Sequence, residues 1–172
     1  MTTFLILAFI TVLVFAAIST GNKNQKEFET KYNRKPSDLS SSGTYVSGHP
    51  MIDKSFKNST LLLDSDTVKI FETDANGFNL KAEIKKESIT NVVMEDSSTI
   101  QNRVTVGRLL LTGVFAFAWK KKTKQECAYL IIEWNQAQFK NETIFEFEGN
   151  GSIQRANTLR NKFISYLTPS EV

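Results

Sequence analysis

STLLLDSDTVKIFETDANGFNLKAEI, residues 59–84, holds three short apolar-alternating runs parted by two clusters of turn-forming residues. The runs are Ser59 to Leu63, Thr67 to Glu72 and Phe78 to Ile84. Alternation with a period of two puts one set of side chains on each face of a pleated strand, which is the pattern of a half-buried antiparallel sheet. Asp64-Ser65-Asp66 and Asp74-Ala75-Asn76-Gly77 can bond their own backbone, and Asn76-Gly77 suits a position of positive φ. Both clusters predict hairpin turns.

Downstream, Asn91 to Glu95, Ala128 to Trp134 and Thr143 to Glu148 repeat the strand pattern. The period then changes. Ile153, Ala156, Leu159, Arg160, Phe163, Ile164 and Leu167 recur at steps of three and four after Ser152, an acceptable N-cap, and Pro169 stops the run. That spacing predicts an amphipathic helix of about four turns. Strands first and one helix last predict a mainly β chain: a bent antiparallel sheet or partly open barrel of about six or seven strands, closed by a C-terminal helix.

Upstream, the first twenty residues carry no charged side chain, and Phe4 to Ile18 is interrupted only by Thr11. As a helix rising about 1.5 Å per residue, this run just reaches across a bilayer core. Lys23, Lys26, Lys31, Arg34 and Lys35 follow it and no basic side chain precedes it, which orients the body towards the cytoplasm. The expectation is a single-pass membrane protein with an anchor at 1–20. The competing reading is a signal peptide cleaved near Ala17-Ile18-Ser19, followed by secretion. Residues 21–43 are polar and read as a linker ended by Ser40-Ser41-Ser42-Gly43, although Lys26 to Asn33 tolerates a helix prolonging the anchor. The remaining domain spans 44–168. The single cysteine, Cys127, cannot form an internal disulfide, which suits a reducing compartment without requiring one.

The strand order with its terminal helix, together with "LLLDSDTVKIFE", "IKKESITNVVME" and "VTVGRLLLTGVFAFAWKKK", resembles the bacterial pleckstrin-homology-like and GRAM-like domains over about Tyr45 to Leu167. Ile84-Lys85-Lys86-Glu87-Ser88-Ile89 matches the polar step between the sheets of such domains, and Gly107-Arg108 with the following apolar run matches their glycine-and-hydrophobe insertion. The resemblance implies a non-catalytic module that binds lipid head groups or protein partners.

Charge is concentrated at one place. Arg103, Arg108, Lys120, Lys121, Lys122 and Lys124 fall between Ser97 and Gln125 without a single acid, while the remainder of the domain is net acidic. Between the two basic flanks lies Leu109 to Trp119, apolar except for Thr112 and Gly113 and too short to span a bilayer. Two readings stand side by side. In one, Phe115, Phe117 and Trp119 enter the head-group boundary while Arg103, Arg108 and the lysines meet anionic phosphates or a membrane protein. In the other, the run is buried core with its basic ends in solvent.

Other classes fit less well. The domain is nearly neutral and its aromatics do not alternate with its cations, which argues against nucleic acid. His49 and Cys127, each the only one of its kind, cannot assemble the usual zinc sets. Glu72-x-Asp74-x-Asn76-Gly77 mimics calcium-loop spacing, but its flanks alternate as strands, so a hairpin is the better reading. No nucleophile elbow or phosphate loop is present. The expectation is no enzyme, no metal and no cofactor. The functional expectation is a membrane-tethered binding module, with a structural subunit docked on another membrane protein as the alternative.

Overall fold

The computed structural model describes residues 6, 21, 23–96, 99 and 126–168. A helix, α1, covers residues 23–32, and a 3-10 turn at Pro36–Asp38 leads into the sheet. Strands follow at β1 (Ser40–Ser47), β2 (Phe56–Leu63), β3 (Thr67–Asp74), β4 (Gly77–Lys85), β5 (Ile89–Asp96), β6 (Cys127–Gln136) and β7 (Phe139–Glu148), and helix α2 (Ser152–Leu167) closes the chain. All pairings are antiparallel, in the order β4-β3-β2-β1-β7-β6-β5, so β4 and β5 are the edges of an open sheet. The mainly β expectation with one C-terminal helix holds at this level. The expected anchor at 1–20 lies, apart from Ile6, outside the described residues; among those described, no helix is long and apolar enough to cross a membrane.

β1 is the strand that sequence reading did not find. It begins at Ser40, inside the stretch read as linker, and it joins the two halves of the sheet. Its first part pairs with β2 from Ser40↔Leu61 to Tyr45↔Phe56, and its last part with β7 from Thr44↔Glu146 to Ser47↔Ile144. Register shifts on either side of Gly43 and between Tyr45 and Ser47 mark where the strand bends. A serine-rich run is a poor strand former, yet small side chains are what fit here. Ser42 is fully buried and its hydroxyl donates to Ser59 Oγ at 2.8 Å, while a Cβ on Gly43 would lie 2.2 Å from the Glu146 carbonyl oxygen.

One face of this bent sheet forms the main core. Tyr45, Leu61, Val68, Ile70, Ile84, Leu130, Ile132, Trp134 and Phe145 point into it, and α2 covers it with Ala156, Leu159 and Phe163. Each fully buried apolar side chain contributes about 1.5–3 kcal/mol relative to exposure. The helix differs from its sequence reading in two respects. Gly151, in the left-handed region at φ 71°, is the N-cap in place of Ser152, and Ile153 and Ile164 remain exposed because the buried stripe is Ser152, Ala156, Leu159 and Phe163. The calcium-like run is the β3–β4 hairpin, with Asp74 opposite Gly77 and Asp74 Oδ1 accepting from the Asn76 N–H at 2.7 Å.

Candidate functional site

Residues 23–32 lie on the outer face of the first half-sheet, opposite the main core. Phe28 and Tyr32 sit one helical turn apart, so both project towards the same surface. Phe28 is 3 % exposed and meets Tyr32, Phe71 and Phe78 at ring-centroid distances of 5.0, 5.7 and 4.8 Å. Tyr32 also meets Phe71 edge-on at 5.2 Å, and Leu62 and Leu39 complete the cluster. The ends are fastened as well. Asn24 Nδ2 donates to the Ala75 carbonyl at 3.5 Å in the β3–β4 turn, and Arg34 reaches Asp64 in the β2–β3 turn at 2.9 Å. Asp64 also receives Lys69 at 2.9 Å, and the Lys69 ammonium above all holds its carboxyl below the usual carboxylate range; burial opposes it, and the Ser65 amide and Arg34 add smaller effects in the same direction as Lys69. The stretch read as a linker is therefore packed on the domain.

A second feature lies between α2 and the start of β1. A groove of about 570 Å³ is lined by Ser40, Ser41, Gln154, Arg155, Leu159 and Lys162 among others. Arg155 is committed to structure, donating to the Asn150 and Glu148 carbonyls at 2.7 and 2.6 Å. Lys162 donates to Ser40 Oγ at 3.1 Å, and an ammonium has three donors, so this wall can still bind an anionic or carbonyl oxygen. Among the described residues that line it there is no carboxylate or imidazole.

His49, the lone histidine, follows β1 and is 5 % exposed. Its ring stacks on Trp134 at 5.0 Å, its Nδ1 accepts from the Met51 N–H at 3.2 Å, and its Nε2 lies 3.3 Å from the Glu83 carbonyl. These partners select the neutral tautomer with the proton on Nε2. Burial, the larger effect, holds the imidazole below its ordinary range, with the Glu83 carbonyl pulling the other way. Because the folded value is depressed, the stabilisation is complete above the ordinary imidazole value of about 6.5 and is lost as pH falls through the folded value. Denaturant melts between about pH 7 and pH 5 are expected to show stability falling with acid. His49→Gln is expected to flatten that slope, since no other histidine titrates there.

The sequence-predicted contact residues Arg103, Arg108, Phe115, Phe117, Trp119, Lys120, Lys121, Lys122 and Lys124 lie outside the described residues. Cys127 is buried at the start of β6. Among the described residues, no three His, Cys, Asp or Glu side chains gather as a metal site. Sequence reading missed Phe28, Tyr32, Arg155 and Lys162. Two aromatics spaced i, i+4 within a polar stretch were the available sign of the first pair; nothing local marks the second, of which Lys162 meets Ser40 from 122 residues away. No protein-family model, no curated protein and no solved structure matches this chain.

Proposed function

We propose that this protein is a membrane-tethered, non-catalytic binding module with a pleckstrin-homology-like body, held at the cytoplasmic face and presenting its surface to anionic head groups or a membrane protein. Seven antiparallel strands followed by one closing helix support the resemblance in the body. The observation that carries the tethered reading is the seating of α1. Its described residues follow the uncharged leader in sequence and are fixed to the sheet by Phe28 and Tyr32, with Asn24 held at the β3–β4 turn. An anchor joined to such a helix would hold the domain at short range and in one orientation, which raises the effective concentration of any membrane-borne ligand.

Alkaline extraction of membranes tests the tether. The full chain is expected in the pellet and a chain starting at residue 21 in the supernatant; a trimmed, soluble product from the full chain would contradict the reading. Flotation of the shortened chain with vesicles then separates ligand classes. Binding to anionic but not neutral vesicles, lost in high salt and on replacing Lys120, Lys121, Lys122 and Lys124 by Glu, assigns the contact to lipid. Absence of flotation at every composition assigns it to protein.

A further inference from the structure

The groove between α2 and the start of β1 carries a charge pattern that packing alone does not require. Arg155, Leu159 and Lys162 follow one another at steps of four and three, so they share one face of α2, and the helical rise sets the two cationic residues about 10 Å apart along its axis. Their heads are held at different places. The Arg155 guanidinium is drawn back to the Glu148 and Asn150 carbonyls, which precede the helix, whereas the Lys162 ammonium crosses to Ser40 Oγ at the start of β1. Neither charge is neutralised: among the described residues no carboxylate forms an ion pair with Arg155 or Lys162, and none lines the groove.

Placement matters as much as charge. Bonds of 2.7 and 2.6 Å to two different carbonyls fix the plane of the guanidinium, yet they use only part of its fork of donors, and the ammonium also keeps donors to spare. A ligand that meets donors already held in position costs the protein less side-chain freedom. Ser41 and Gln154 add exposed polar side chains to the wall, Leu39 and Leu159 add apolar lining, and the volume of about 570 Å³ suits a small molecule. The N-terminus of α2 is not itself the attraction, because the Gly151 N–H already donates to Glu126 Oε2 at 3.2 Å.

We propose that this groove binds an organic anion in which two phosphoryl groups are joined by a short polyol, one group on Arg155 at the start of α2 and the other on Lys162 with Ser40 and Ser41. Two separate cations without an acid between them select two separate anionic groups. Phosphoryl suits both ends, since it keeps its charge at neutral pH and accepts several charge-assisted hydrogen bonds at once. A free sugar bisphosphate and the head group of a diphosphatidylglycerol lipid share this chemistry. The inference deepens the binding half of the reading above and rests on it, giving the ligand a class and a place; neither the leader nor the lysines at 120–124 enter it.

The test uses the full chain, isotope-labelled and held in a neutral detergent, titrated with fructose 1,6-bisphosphate, with fructose 6-phosphate and with mixed micelles carrying cardiolipin. Amide shifts centred on Ser41, Gln154 and Thr158 are expected, with a Kd below about 1 mM for the bisphosphate or the cardiolipin micelles and binding of the monophosphate weaker by about fivefold or more. Lys162→Gln is expected to weaken binding by a similar factor, about fivefold or more. So is Ser41→Glu, which sets a carboxylate at an exposed position of the wall and keeps the test decisive if loss of the Lys162–Ser40 bond disturbs the fold. Replacing Lys120, Lys121, Lys122 and Lys124 by Gln leaves the bisphosphate titration unchanged. Saturation by the soluble bisphosphate supports the proposal with a free ligand, and saturation by cardiolipin micelles alone supports it with a lipid head group. Absence of shifts at these amides with both probes, equal affinity for the mono- and bisphosphate, or a titration that neither variant moves overturns it. Alkaline extraction is independent of all these results, so a chain that fails here and still pellets keeps its tether, and a chain that binds and does not pellet keeps its groove.

Discussion

Gly48→Ala is expected to lower stability by about 4 kcal/mol or more, moving the thermal midpoint down by more than about 8 °C. Gly48 follows β1 directly, with φ at +100°, where L side chains are strained. The larger part is steric. A Cβ there would lie 1.7 Å from the Glu142 carbonyl oxygen and 2.7 Å from its carbon, and both are backbone, so no flexible side chain can swing away. Relief requires β1 to separate from β7, and that join unites the two halves of the sheet. Gly149→Ala is the control. Gly149 also has positive φ, +79°, but nothing lies within 4 Å of its would-be Cβ, so only the conformational cost of about 1–2 kcal/mol applies. Equal midpoints for the two variants would show that β1 can slide away from β7 at little cost, and the join would lose its importance.

The same join explains which parts of the fold were legible. The β2–β3–β4 meander was readable because each strand alternates, each turn carries its own chemistry, and the pairing is local, as in Thr67↔Lys85 and Asp74↔Gly77. β1 was not. Its residues are chosen by what meets them from far along the chain: Ser42 by Ser59, Gly43 by the Glu146 carbonyl, Ser40 by Lys162. A serine run reads as linker until those partners are known. α1 was half legible: helix tolerance could be read from Lys26 to Asn33, but its docking depends on Phe71 and Phe78, which local periodicity cannot connect to it. β6 shows a similar limit. Its residues from Ala128 to Trp134 read as one more alternating strand, yet side chains of both faces are buried, Leu130 and Ile132 in the main core and Tyr129 and Ile131 on the other side. The basic segment was visible at once as composition, whereas the gathering of Glu95, Glu133, Glu142, Glu146 and Glu148 on one face emerges only from the register of β5, β6 and β7.

Phe28→Ala is expected to weaken the docking of α1 by about 3 kcal/mol, roughly a hundredfold in the docking equilibrium. The ring is almost wholly buried and meets three aromatic rings at once, so truncation removes apolar transfer and edge contacts together. What remains is the single Tyr32–Phe71 ring contact, while the Asn24–Ala75 contact and the partly exposed Arg34–Asp64 pair contribute little at the surface. The loss should therefore be local. Amide exchange over residues 25–32 is expected to accelerate by up to about two orders of magnitude, while the ladders of β6 and β7, whose core lies on other faces, keep their protection. Tyr32→Phe separates packing from polarity. Among the described residues the buried Tyr32 hydroxyl has no hydrogen-bond partner, so deleting it keeps the ring contacts and removes an unsatisfied group, and docking should hold or tighten. Unchanged exchange in Phe28→Ala would mean that the aromatic cluster does not hold the helix. If exchange rises as expected, the folded body swings free of its helix while remaining attached to it; under the tether proposed above, a membrane contact that depends on orientation should then weaken without loss of the fold or of the membrane-bound fraction.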